Sequence, residues 1–471
     1  MKAKEHSEKR NSFGGSIGFV LAAAGSAVGL GNIWRFPTLA ARDGGGLFLV
    51  IYLVLALTFG YTLLTSEVAI GRKTKQSPLT AYGKIKRGFG PLGIIACLIP
   101  VIIMPYYCVI GGWVLKYFVG FSTGKAKVMA QDTYFGSYIS RQYEPIIFFV
   151  VFLGVSALVV ILGVNKGIES FSKVIMPILV LMIIGISIFS LTLKHTDGDV
   201  TRTGIEGLKK LVIPNFDGMT VKKFIQVIVD AMGQLFYSLS VAMGIMIAYG
   251  SYMKDDVKMA KSINQIEIFD TAIAFLAGVM IIPAVFTFVG DAGMEKAGPG
   301  LIFVILPQVF TAMGSIGTVV GAIFFAMVLF AAITSSVSVM EAVVSSFMDE
   351  FKISRIKACI LEGIIALAAG IAVCLGYNKW FFNIKLPNGA DAQILDIMDY
   401  ISNNIFMPIV AIVTCILIGW ICKPEFVINE VEKNGEKMGR KGLYKVMVKF
   451  IAPILLFVLF LQSLGILNLF L

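Results

Sequence analysis

The sequence predicts an all-α polytopic membrane protein with about eleven transmembrane helices. Of its 471 residues, 57% are hydrophobic, and the mean hydropathy is +0.85, far above the soluble range. Apolar runs of about 20 residues, long enough to cross a bilayer, recur along the whole chain. Lysines and arginines collect in alternate loops, as the positive-inside rule requires.

The tail, 1–14, is charged and carries Lys2, Lys4, Lys9 and Arg10. It reads as a cytoplasmic tail, because the apolar segment after it is too long and too glycine-interrupted for a signal peptide. Span one covers 15–38. Its centre is Gly25-Ser26-Ala27-Val28-Gly29-Leu30-Gly31-Asn32-Ile33-Trp34-Arg35-Phe36-Pro37. Three glycines thus sit at mid-depth. Lipid cannot hydrogen-bond the peptide groups that so weak a helix frees, and irregular backbone at this depth must line a protein-enclosed cavity. Close helix packing through Gly25-xxx-Gly29 is the alternative.

Spans two to five follow near 46–71, 91–121, 145–162 and 168–192. Span six occupies 223–252 and again places small and polar residues at mid-depth, from Gly233-Gln234 through Tyr237-Ser238-Leu239-Ser240 to Met243-Gly244. Spans seven to eleven fall near 265–289, 316–349, 356–376, 393–421 and 444–468. The stretch 299–313, with Pro299 and Pro307, reads as a re-entrant or surface helix. Basic loops at 72–87 and 423–441 share a side with the tail. The N-terminus is therefore cytoplasmic and, with an odd span count, the C-terminus lies outside. Spans one and six lie five apart and are interrupted alike. That predicts two five-span repeats of opposite orientation, 15–192 and 223–421, with 444–468 as an extra span and 1–471 as one transporter domain. Matching interruptions in two halves are the best sequence pointer to a transport site.

Several residues then carry chemistry. Asp270 lies inside span seven, where a carboxylate costs about 2.5–3.5 kcal/mol and usually has a partner and a function. Span eight holds Thr334, Ser335 and Ser336, hydroxyls that suit a hard cation or that bond their own helix's carbonyls. Glu67 either accepts hydrogen bonds from unwound backbone or faces the cytoplasm. Tyr106 and Tyr107 follow Pro105 in span three. Arg35 and Asp399 suit either an outer gate or solvated charges in a vestibule, and Arg10 and Asp349 an inner gate. The six cysteines fall in or beside apolar segments without metal spacing. The two histidines, His6 and His195, lie in tail and loop, so no catalytic constellation emerges. The net charge of +11 is spread over alternate loops, which excludes nucleic acid as a partner. Absence of an Asn-x-Ser/Thr acceptor favours a prokaryotic source.

The motifs at 25–37, 44–46 (Gly-Gly-Gly), Glu67…Gly71-Arg72, 233–240 and Ile333-Thr334-Ser335-Ser336-Val337-Ser338-Val339-Met340-Glu341 closely resemble the neurotransmitter:sodium symporter family. The likeness runs from residue 10 to about 421, and is nearest to the prokaryotic eleven-span amino-acid transporters of the leucine/tyrosine type. It implies a LeuT-like 5+5 inverted repeat. It also implies one sodium site from the Ala27 carbonyl, Asn32, Ser238 and Asp270, completed by the substrate carboxylate. A second would use the Gly25, Val28 and Ala331 carbonyls with the Thr334 and Ser335 hydroxyls. The substrate carboxylate would meet the Leu30 and Gly31 N–H groups and the Tyr107 hydroxyl, and its ammonium the Ala27, Tyr237 and Ser238 carbonyls. Ile103, Ile110, Tyr237, Ser240, Met243, Ser335, Ser336 and Val339 would line the side-chain pocket. Tyr107 and Tyr237 would form a lid under Arg35 and Asp399, and Arg10, Ser251, Tyr252 and Asp349 an inner gate.

Two positions sharpen the expectation. Gly29 stands where monoamine carriers of the family place an aspartate, so the substrate is expected to bring its own carboxylate. Asp270 stands where many members carry an asparagine, and Ala274 stands where chloride-dependent members carry a serine. A fixed charge at Asp270 would replace chloride. The expected function is sodium-coupled uptake, by alternating access, of a neutral hydrophobic or aromatic L-amino acid. Two sodium ions and no chloride requirement are expected, in the plasma membrane of a prokaryote. A sensor built on the same scaffold is the alternative, and would show a degraded sodium site or gate. Candidate gates on both sides disfavour a channel.

Overall fold

The computed structural model describes residues 12–295 and 298–466. Among them, nine uninterrupted helices are long and apolar enough to cross a membrane. Span two is Gly46–Thr74, span three Gly90–Ser122, span four Glu144–Ile161 and span five Val164–Leu191. Span seven is Met259–Val289, span eight Ser315–Phe351, span nine Arg355–Leu375, span ten Ile394–Ile421 and span eleven Lys441–Ser463. Two further spans are interrupted. Span one runs Ser16–Ala27 and Gly31–Arg42, bent by 52° at the break. Span six runs Val221–Ser238 and Ile245–Tyr252.

Each interruption follows from its sequence. In span one the Gly25–Gly31 stretch offers little helix propensity. The helix ends at Ala27 and resumes as a π-helical turn, Gly31–Arg35. In span six the chain turns through left-handed positions at Ser240 (φ 53°), Ala242 (φ 60°) and Gly244 (φ 74°). Only the glycine is relaxed there; each of the other two costs about 1–3 kcal/mol unless its surroundings impose it.

The two broken spans lie at the centre. The first half of span one packs on spans seven and eight, and the second half of span six on span two. That last contact is close: a Cβ on Gly71 would sit 1.9 Å from the Ile247 carbonyl oxygen, and one on Gly250 would sit 2.4 Å from that of Val68. Spans three, four, eight and nine pack against one another beside this group.

The loops hold more structure than the sequence suggests. Between spans five and six, a hairpin pairs Lys194–Asp197 with Val200–Thr203. The helix Gly204–Val212 follows, held by a Thr203/Glu206 capping box, and a Cβ on its Gly207 would meet Pro283 of span seven at 2.5 Å. The stretch at 299–313 is helical over Leu301–Ala312.

Candidate functional site

The breaks free backbone groups, and specific side chains collect them. The Ser26 carbonyl accepts from the Ser335 hydroxyl (3.0 Å) and the Ser240 hydroxyl (3.1 Å). The Gly31 carbonyl accepts from the Gln234 amide at 3.2 Å. In span six the Ala242 N–H donates to Glu67 Oε1 at 2.5 Å. Of the two readings open for Glu67, the structure shows the hydrogen bond to unwound backbone.

Asp270 is fully buried beside the break in span one. Its Oδ1 accepts from Asn32 Nδ2 (2.8 Å) and Ser238 Oγ (2.6 Å), and its Oδ2 from the Tyr52 hydroxyl (3.3 Å). Ser238 Oγ also lies 3.1 Å from Asn32 Oδ1. This oxygen-rich set, with one negative charge, fits a hard monovalent cation. Among the described residues, no three His, Cys, Asp or Glu groups stand at metal-binding spacing.

The second cluster joins spans one and eight. Ser335 points across to the Ser26 carbonyl, with the Gly25 carbonyl 3.5 Å away. Thr334 instead donates within its own helix, to Ala331 (3.0 Å) and Phe330 (3.1 Å). Its Cβ nevertheless stands 3.3 Å from where a Cβ on Gly25 would be. Gly25, Thr334 and Ser335 thus meet beside the break, with Ala331 a turn back from Thr334 in span eight, and Val28, fully buried, lies within the break.

Between the clusters lies a small cavity of about 30 Å³. Span one lines it with Ala27, Gly29, Gly31 and Asn32, and span three with Ile103 and Tyr107. Span six adds Tyr237, Ser238, Ser240 and Met243, and span eight adds Ser335 and Val339. The buried Tyr107 hydroxyl has the Ser335 hydroxyl and the Leu30 N–H as its near polar neighbours, with no well-formed hydrogen bond among the described residues. It faces Gly29, where a Cβ would lie 3.3 Å from it and 2.7 Å from Ser335 Oγ. A Cβ on Gly31 would lie 2.8 Å from the Tyr237 ring.

Two pocket expectations need correction. Ser336 bonds Ser156 of span four at 2.7 Å and faces away from the cavity, because neighbouring helix residues point about 100° apart. Ile110 does not line the cavity; it sits two turns along span three from Ile103.

The gate residues divide. Arg10 lies outside the described residues. On the face that holds the N-terminal segment, Tyr252 donates to Glu341 (2.6 Å), which Arg355 grips at 2.5 and 3.0 Å. Asp349 accepts from the Ser77 N–H at 2.7 Å. Among the described residues, the Ser251 hydroxyl bonds its own turn, at the Ala248 carbonyl. Phe13 is buried on this face, edge-on to Phe19, Tyr249 and Tyr252, while the Gly14 N–H donates to the buried Glu169 at 2.7 Å. On the opposite face, Arg35 and Asp399 form no ion pair. Arg35 borders a cavity of about 280 Å³ with Asp230, Asn403 and Gln462, and Asp399 accepts from Asn403 at 2.6 Å. The ion pairs nearby are instead Arg42 with Asp230 and Asp43. Sequence gave sidedness for Arg35 and Asp399, and no contact.

Tyr52, Phe13, Glu169, Asp230 and Arg355 escaped the sequence reading. The criterion that singled out Asp270, an acid inside an apolar run, would also have found Asp230 and Glu341. Nothing local marks Tyr52.

Comparison with known proteins gives the same picture. The profile of the Sodium:neurotransmitter symporter family matches residues 10–133 and 136–468. The uncharacterized sodium-dependent transporter YhdH of Bacillus subtilis is 33% identical over 462 residues, covering 96% of this chain and 97% of its own. An uncharacterized sodium-dependent transporter of Haemophilus influenzae is 30% identical, covering 98% and 99%. The crystal structure of MhsT in complex with L-phenylalanine superposes with a TM-score of 0.83 at 32% identity, covering 96% of this chain and all of that one. This multi-pass membrane protein, with its LeuT-like fold, belongs to the sodium:neurotransmitter symporter family.

Proposed function

We propose that the protein imports a neutral hydrophobic or aromatic L-amino acid together with two sodium ions, by alternating access and without chloride. The observation that carries this reading is the buried Tyr107 hydroxyl facing the bare Gly29 at the break, with Asp270 close behind Asn32 and Ser238. A glycine there leaves space for a carboxylate that the substrate brings. The Leu30 and Gly31 N–H groups and the Tyr107 hydroxyl would hold that carboxylate. The Ala27, Tyr237 and Ser238 carbonyls would face the ammonium. Ile103, Met243 and Val339 make the side-chain end apolar, and L-phenylalanine in MhsT is a ligand of the same chemistry.

One sodium would sit among Ala27, Asn32, Ser238 and Asp270, and the other among Gly25, Val28, Ala331, Thr334 and Ser335. Asp270 supplies the fixed negative charge that chloride would otherwise bring. With a −100 mV membrane and a tenfold sodium gradient, two ions supply about 7 kcal/mol, or about five decades of substrate gradient. The basic loops place the N-terminus in the cytoplasm of a prokaryotic cell. Phe13 then closes the inner side, and the Arg35 cavity belongs to the outer side. Tyr252 and Asp349 fall at the inner gate, with Arg10 as a further candidate.

The test is uptake by purified protein in proteoliposomes, with a panel of competing amino acids. Expected are sodium-dependent uptake, inhibition by large neutral side chains, and no change when gluconate replaces chloride. Uptake that needs chloride, or that charged amino acids inhibit best, overturns the reading.

A further inference from the structure

We propose that Arg440, in the loop between spans ten and eleven, is a positioning residue for the sodium centre at Asp270. It acts by setting the spacing of span seven from span two. The proposal rests on the sodium-site reading above.

The Arg440 guanidinium binds four groups on two spans. On span seven it meets both Glu267 oxygens, at 3.0 and 2.6 Å, and Asn264 Oδ1 at 2.6 Å. On span two it donates to the Leu57 carbonyl at 2.7 Å and stacks 3.6 Å from the centre of the Tyr61 ring. Leu57 lies in the π-helical turn Ala56–Gly60, where the regular carbonyl ladder is displaced. Glu267 is buried, at 3% exposed, and the Arg440 side chain is 26% exposed. Glu267 precedes Asp270 by three residues, about one turn, and Tyr52 precedes Leu57 by five.

Two bridges therefore join the same pair of helices. One is Tyr52 to Asp270 inside the site; at 3.3 Å it is the longest of the three hydrogen bonds to Asp270. The other is Arg440, a turn or so nearer the loop. A planar fork that grips a carboxylate with two bonds fixes geometry in a way that a lysine ammonium does not. The loop is itself anchored: Glu436 accepts the Ala260 and Lys261 N–H groups at 2.9 Å each, in the first turn of span seven. Lys433 pairs with Asp255 at 3.2 Å. Arg440 thus enters from a fixed base, and its removal lets span seven shift relative to Tyr52.

The experiment is equilibrium binding of radioactive sodium to the purified full chain, reading the component that Asp270→Asn abolishes. Arg440→Ala should weaken that component about tenfold, the usual cost of losing a group that orients a metal ligand. Arg440→Lys should fall between, since a lone ammonium can replace the nitrogen that bonds Glu267 Oε1 and the Leu57 carbonyl but not the second arm on Glu267 Oε2 and Asn264 or the flat stack on Tyr61. In a Tyr52→Phe background, Arg440→Ala should add little, because both act on one spacing. Should Arg440→Ala fail to purify, Glu267→Gln carries the same expectation. Wild-type sodium affinity in Arg440→Ala with a lowered melting temperature overturns the proposal, as do fully additive losses with Tyr52→Phe. If Asp270→Asn leaves sodium binding unchanged, the sodium site itself is misassigned and the proposal falls with it.

Discussion

Replacing Gly29 with alanine puts a methyl carbon 2.7 Å from Ser335 Oγ and 3.3 Å from the Tyr107 hydroxyl. The first contact is shorter than carbon and oxygen tolerate and forces Ser335 to turn; the second is tight and asks Tyr107 to give by a few tenths of an ångström. Turning costs Ser335 its 3.0 Å hydrogen bond to the Ser26 carbonyl, a net loss of about 0.5–1.5 kcal/mol. Crowding a packed site adds about 1–3 kcal/mol. Without substrate, Ser335 can swing into the cavity. With substrate seated that space is taken, so most of the penalty falls on binding. The total of about 2–4 kcal/mol corresponds to a loss of affinity of about 30- to 1,000-fold. Competition binding against a labelled amino acid measures it, with the melting temperature of the substrate-free protein as the control. Wild-type affinity in a well-folded Gly29→Ala variant would refute the placement of the substrate carboxylate at Gly29.

Tyr107→Phe should lose about 1.5–3 kcal/mol of substrate affinity, the worth of a hydrogen bond to a charged group, measured by competition binding, with a much smaller change in the melting temperature of the substrate-free protein. Glu67→Ala should lower stability by about 1–3 kcal/mol by stranding the Ala242 N–H, and Glu67→Gln less; thermal unfolding distinguishes them. Arg355→Ala should destabilise by about 3–5 kcal/mol, because it leaves the fully buried Glu341 unpaired, and adding Glu341→Gln should recover most of the melting temperature. Thr334→Ala and Ser335→Ala should each flatten the sodium dependence of uptake, whereas unchanged sodium curves would leave a single coupled ion.

The span pattern was legible because hydropathy measures depth directly. Glycines at mid-depth marked the break in span one, and the same logic located span six. Contacts across the fold were less legible. Ser335 and Ser336 look equivalent as letters, yet the helix turns one to the cavity and the other to Ser156. Ile103 and Tyr107 share a face at i and i+4, but Ile110 is carried beyond the cavity. Tyr52 sits in an apolar run like any interfacial tyrosine, and its partner Asp270 lies 218 residues away. Arg35 and Asp399 have the right sign and side for a pair, but Asn403 takes Asp399. The loop of Arg440 showed only its charge, which the positive-inside rule already explained.

The hydrogen bonds at the breaks bear on how sodium and substrate depend on each other. A hydroxyl that gives its proton to a freed carbonyl keeps its lone pairs. Ser335 can therefore hold the Ser26 carbonyl and still turn oxygen toward a cation, with no protein bond broken. The Asp270 centre differs, because Asn32, Ser238 and Tyr52 all donate to the carboxylate itself. A cation there must compete with three donors, so protein groups alone make it a weak site. On the proposed reading the substrate carboxylate adds a second negative ligand to that centre and tips the competition. Sodium at Asp270 and the amino acid should then bind with positive coupling, and linkage makes the coupling reciprocal. The factor by which saturating substrate tightens sodium must equal the factor by which saturating sodium tightens substrate. Asp270→Asn, which removes the charge and leaves the second sodium cluster intact, should collapse both factors together.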